Sequence, residues 1–121
     1  MTIIDELLLA EFRAMPCEFC GKPGPSDPEH VYPRALGGSR RLDVRENLVA
    51  LCRYHHNNAG SGHGEPSKAQ LKAHVAKREK STVEAIWEYL CVLWRLPKGA
   101  DVPNLRRIDS DLDATRNEVS F

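Results

Sequence analysis

Two short half-sites, Cys17-Glu18-Phe19-Cys20 and Cys52-Arg53-Tyr54-His55, bracket residues 21–51 of this chain. Each sets two soft ligands with two residues between them, a spacing that lets both side chains point at one tetrahedral zinc ion. Taken together they make a Cys3His site, so segments far apart in sequence must meet in any fold that fills it. Ordinary two-knuckle fingers separate their pairs by about 12–20 residues. Here the bracket is longer, and something is built inside it. Of the four cysteines, Cys91 has no partner at ligand spacing and lies on the apolar face of an expected helix, so it reads as core. A disulfide framework is the poorer reading, because no secretory pattern precedes it.

The remaining elements follow from periodicity and caps. Residues 2–14, TIIDELLLAEFRA, place Ile4, Leu7, Leu8 and Phe12 on one helical face, and Pro16 stops the helix. The segment EHVYP (29–33) is a short strand candidate and NLVAL (47–51) a second; the latter runs into a short helix over CRYHHNNAG. Residues 34–46 and GSGHGE read as loop. Ser67 with Gln70 resembles a capping box opening a helix over 68–80, and Ser81 with Glu84 another over 82–96. In the last helix Val83, Ile86, Trp87, Leu90, Cys91 and Trp94 line one face. The chain therefore reads as α+β. A single domain spans 1–100 with its motif core at 17–60, and a tail, 101–121, is expected to be partly disordered. At 121 residues and 41% hydrophobic content it supports one modest core, for which a metal is a common staple.

Inside the bracket the sequence reads EHVYPRALGG and then ENLVALCRYHH. That is Glu29-His30, an apolar residue, Pro33 three after His30, Gly37-Gly38, Asn47-Leu48, Leu51-Cys52, and the adjacent pair His55-His56. This ordered set resembles the HNH endonuclease family, in particular its small zinc-containing members found in phages and mobile elements. The likeness covers residues 17–56, roughly a third of the chain. It implies a ββα-metal (HNH, or His-Me finger) core stapled by the Cys3His zinc site. By position, His30 is then the general base, and Asn47 holds the loop and orients it. Glu29 and His56 hold a catalytic divalent ion, and Cys17, Cys20, Cys52 and His55 hold structural zinc. The carboxylate is glutamate where aspartate is commoner in that family. His63 is a further candidate ligand, its plainer reading being a solvated loop residue. Successive helical residues point about 100° apart, so His55 and His56 suit two neighbouring sites better than one.

A neutral imidazole with a pKa of about 6.5 is a competent base at neutral pH. A divalent ion beside a phosphate stabilises developing charge. A site of one carboxylate and one imidazole accepts Mg²⁺, Mn²⁺, Ni²⁺ or Zn²⁺ without choosing among them. The expected substrate is DNA, with Arg34, Arg40, Arg41 and Arg45 as backbone contacts. Net charge is +0, but Lys68, Lys72, Lys77, Arg78 and Lys80 cluster on one segment and extend that footprint. That helix carries no interleaved aromatics, so it offers no platform for stacking single strands. His74 reads as a surface residue. The competing reading is a catalytically inert zinc-ribbon module that binds DNA or protein; such a module has no need of Glu29, His30, Asn47 and His56 together. A homodimer, or a phage packaging or recombination protein, is the further partner expected. No apolar run approaches membrane-spanning length, and an intracellular, cytoplasmic protein is expected.

Overall fold

The computed structural model describes residues 1–32, 41–59 and 65–105. Its centre is β2 (Leu48–Leu51), all four residues of which are buried. A strand apolar at every position can bury both faces. Alternation sends Leu48 and Ala50 toward Leu9 and Phe12, while Val49 and Leu51 join the larger core with Leu71, Val75, Leu90 and Leu93. The partner strand β1 (Asp27–His30) pairs antiparallel with β2 in the register Asp27↔Leu51, Pro28↔Ala50, Glu29↔Val49, His30↔Leu48. This strand begins and ends earlier than EHVYP predicts.

Helix α1 (Glu6–Ala14) covers the Leu48–Ala50 face. It starts later than expected, because Asp5 caps it by accepting from Leu8 N at 3.0 Å. Residues before the cap are extended, and Ile3 forms an isolated parallel bridge with Leu42. The apolar face is also rotated from the expected one: Leu9 and Phe12 are buried, whereas Ile4 and Leu7 are 61% and 84% exposed.

On the other face, α3 (Lys68–Arg78) and α4 (Val83–Arg95) form a hairpin. The Ser67–Gln70 capping box is present in full. The second cap is Thr82, not Ser81; its hydroxyl accepts from Ala85 N at 3.1 Å. Helix α4 buries Ile86, Tyr89, Leu90, Leu93 and Trp94. Cys91 is half-buried against the core, as expected for a packing thiol. Residues 101–105, grouped with the tail for their lack of periodicity, follow α4 back onto the core. There Leu105 is buried and the Tyr89 hydroxyl donates to Pro103 O at 2.8 Å. Among the described residues no helix is long and apolar enough to cross a membrane.

A short helix, α2 (Arg53–Asn58), follows β2 directly with Cys52 as its N-cap residue. Six residues are too few to be helical alone. It is tied down by Arg53 Nε donating to Asp27 Oδ2 at 2.8 Å and by the groups described next.

Candidate metal centre and its neighbours

The ligand atoms of Cys17, Cys20, Cys52 and His55 all lie within 4.8 Å of one another. The first pair sits on a tight turn. Gly21 N donates to Cys17 O at 2.9 Å, and Gly21 adopts φ +77°, the left-handed region that glycine enters without strain. The second pair is brought in by the step from β2 into α2. Sγ of Cys20 and Cys52 are 3.9 Å apart, and His55 Nδ1 stands 3.2 Å from Cys52 Sγ and 3.9 Å from Cys17 Sγ. With Zn–S of about 2.3 Å and Zn–N of about 2.0 Å, a tetrahedral ion spaces its ligands by roughly 3.5–3.8 Å, so three sulfurs and one nitrogen fit zinc. Burial pushes the Cys17 thiol up, but N–H groups of Cys20, Cys52 and Phe19 aimed at the sulfur outweigh it and bring it down to about 6. That favours the thiolate a metal requires. The His55 ring is held edge-on by Phe19 and Tyr54, with centroids at 4.8 and 5.2 Å.

His56, one residue on, faces elsewhere. Its Nδ1 is buried and lies 2.6 Å from Glu29 Oε2, an ion-pair distance, without meeting the geometry of a hydrogen bond. An imidazole nitrogen beside a carboxylate oxygen is also a donor pair that suits a divalent cation. Lys68, at the start of α3, reaches the other oxygen: its Nζ is 3.4 Å from Glu29 Oε1 and 3.3 Å from His30 O.

His30 closes β1 as the residue after Glu29. Its Nε2 is 2.7 Å from Asp43 Oδ1. Asp43 is 1% exposed and also takes Arg41 Nε and Nη2, both at 2.8 Å, and Asp5 N at 3.0 Å. Burial alone raises the Asp43 carboxyl; the Arg41 fork, the His30 ring and the Asp5 amide together hold it below the ordinary carboxylate value. An ionised carboxylate only accepts, so Nε2 must carry the proton and the lone pair resides on Nδ1. Among the described residues that nitrogen has no hydrogen-bond partner.

Asn47 is fully buried, and its side-chain hydrogen bonds go elsewhere than the His30 ring. Its Oδ1 accepts from Tyr32 N at 2.8 Å, and its Nδ2 donates to Tyr32 O at 3.2 Å and to Leu42 O at 3.0 Å. It clamps the chain just past His30, and the His30 ring is bonded to Asp43 instead. Sequence reasoning misses Asp43. Its one signal there is a lone acid between Leu42 and Val44, two residues after an arginine. Arg41 is engaged with Asp43 rather than free for DNA. Arg45 lies 3.5 Å from Glu11 and over the Phe12 ring at 5.4 Å. Arg34, Arg40 and His63 lie outside the described residues. His74 is not simply a surface residue: its Nε2 is 2.9 Å from Glu18 Oε1, beside Arg78 Nη1 at 2.9 Å from the same oxygen.

Comparison of the chain with protein-family models, with curated proteins and with solved structures gives no match in any of the three. The functional reading therefore stands on the side chains themselves.

Proposed function

We propose that this chain is a metal-dependent endonuclease of the HNH type, built on a ββα-metal core of β1, β2 and α2 and hydrolysing DNA phosphodiester bonds. The observation that carries it is the 2.6 Å pairing of Glu29 with the buried Nδ1 of His56, on the residue next to His30 and one residue from the Cys3His cluster. A carboxylate and an imidazole nitrogen converging at this distance without hydrogen-bond geometry are a donor pair suited to a divalent cation. The cluster supplies structural zinc, which fixes the start of α2 and so the direction of His56. Glu29 and His56 would hold the catalytic ion. When bound, that ion supplies Lewis-acid stabilisation of charge on the phosphate and the leaving oxygen.

The chain's own groups do the rest. His30 Nδ1 accepts a proton from water as the water oxygen attacks phosphorus. The bond from phosphorus to the leaving sugar oxygen breaks, and that oxygen departs with the electron pair. Asp43 steadies the imidazolium that forms, since its charge faces Nε2–H. Lys68 offsets the charge of Glu29 Oε1 and offers a cation to an approaching phosphate.

The deciding experiment is cleavage of supercoiled plasmid by the zinc-loaded protein with Mg²⁺, Mn²⁺ or Ni²⁺, run beside His30→Ala. We expect metal-dependent nicking that falls on the order of 10²–10⁴-fold in the variant, the usual contribution of a general base. The variant should keep its zinc and its melting temperature. No cleavage with any ion by folded, zinc-loaded protein would leave the inert binding module as the better reading.

A further inference from the structure

Beside the candidate site is a cavity of about 290 Å³ lined by Tyr32, Lys72, Val83, Glu84 and Trp87. Its aromatic wall joins parts of the chain that the sequence keeps far apart. Tyr32 and Trp87 meet with centroids 5.1 Å apart at 41°, and Trp87 continues edge-on to Trp94 at 5.4 Å. Trp94 is buried, but Trp87 is 37% exposed, so the row runs from core to solvent. Lys72 Nζ stands 5.0 Å from the centre of the Tyr32 ring. The absence of aromatics within helix α3 itself points away from a stacking platform; the fold brings them in from the end of β1 and from α4.

We infer that this cavity receives an unpaired base of a single-stranded or flapped DNA whose backbone passes over Lys72 and Lys68 toward His30. The inference rests on the nuclease reading and names the substrate class for it. Continuity is the first argument. Lys68 and Lys72 are one helical turn apart and share a face of α3. Lys68 touches Glu29 and the His30 carbonyl, and Tyr32 is two residues past His30. Charge is the second. Two lysines along one edge track a phosphate backbone, while Glu84 at the cavity rim repels phosphate and leaves the cavity to an uncharged ring. Chemistry is the third. A nucleobase has a flat π-face that stacks on tryptophan or tyrosine whatever its sequence. In a duplex both faces of each base are already stacked, so only an unpaired base is available.

The test uses full-length, zinc-loaded protein without a catalytic divalent ion, so that nothing is cut. A short mixed-sequence single strand and the same sequence as a blunt duplex are titrated, following tryptophan emission and the anisotropy of an end label. We expect the single strand to bind at least tenfold more tightly and to quench emission. Trp87→Ala should weaken single-strand binding roughly tenfold or more, as loss of one stacking contact does, with little change for duplex. Trp87→Phe should restore most of the affinity. Equal affinity for the two forms, no binding of either, or a Trp87→Ala protein of unchanged melting temperature and unchanged single-strand affinity would each overturn the proposal. The two readings fail separately. A protein that grips single strands through Trp87 but cuts nothing keeps this subsite and loses the nuclease. A plasmid nickase indifferent to Trp87 does the reverse.

Discussion

Asp43 shows how one buried carboxylate can set the chemistry of a neighbour. It accepts from Arg41, Asp5 and His30, and it is 1% exposed, so its charge is fully committed. Asp43→Asn removes that charge and turns an N–H group toward Arg41 or His30. Hydrogen bonds to a charged group are worth about 1.5–3 kcal/mol, and a loss of that size in unfolding free energy is expected at neutral pH. The pH dependence has a definite sign. The folded-state pKa of Asp43 lies below its ordinary value of 3.8. Its stabilisation is therefore fully present above that value and is lost as pH falls through the lower, folded one. The gap between native and variant melting temperatures should stay constant near neutrality and close only in that acid window. A gap that closed between neutrality and mild acid would mean that Asp43 is not the group responsible. Cleavage should drop as well, because Nε2 would no longer be held as the protonated nitrogen.

Helix α2 carries two histidines that face different groups, His55 the three cysteines and His56 the Glu29 carboxylate, because successive residues diverge by about 100°. Inserting one alanine between His55 and His56 leaves Cys52 and His55 in place and swings the second imidazole away from Glu29. Zinc content by atomic emission should stay at one ion per chain, while Mn²⁺ binding by titration calorimetry and plasmid nicking should both be lost. Retained Mn²⁺ binding would show that His56 is not a ligand. Several elements are legible from local rules alone. The apolar run of β2 between Asn47 and Cys52, the Ser67–Gln70 box and the divergence of His55 and His56 each follow from a few adjacent residues. What is illegible depends on distant partners. The phase of α1 is set by which side chains meet Leu48 and Ala50, so Leu9 is buried and Leu7 is not. Ser81 and Thr82 are both competent caps, and only the packed hairpin selects Thr82. Asp43 meets His30, and Tyr32 meets Trp87, through the folded chain, with no spacing rule to announce either.

At the scale of the whole molecule, the Cys3His cluster closes the loop of residues 21–51 and is itself part of the core, since Cys17 and Cys52 are 3% and 4% exposed. The same cysteines precede the elements that matter for the site. Cys20 leads into β1, and Cys52 links β2 to α2. Zinc binding in finger peptides is worth about 10–16 kcal/mol at neutral pH. A domain of this size is stable by only about 5–15 kcal/mol. Removing the ion should therefore abolish cooperative folding rather than soften one loop. Glu18 strengthens that expectation, because it joins the first knuckle to both β2 and α3. Its backbone N donates to Ala50 O at 2.8 Å, and its carboxylate takes Ala50 N at 2.6 Å and Arg78 Nη1 at 2.9 Å. Loss of the knuckle's geometry would carry both contacts with it. Adding excess chelator should collapse the melting transition seen by circular dichroism, and stoichiometric Zn²⁺ should restore it. Cys52→Ser should behave like the chelated protein even with zinc present. The α3–α4 hairpin buries its own contacts, including Leu71, Val75, Leu90 and Leu93, so some helical signal should survive without a sharp transition. A chelated protein that melted at the native temperature with unchanged cooperativity would remove zinc from the account of the fold. The direction of His56 would then have to be set by the packing of α2 alone, through contacts such as Arg53 with Asp27.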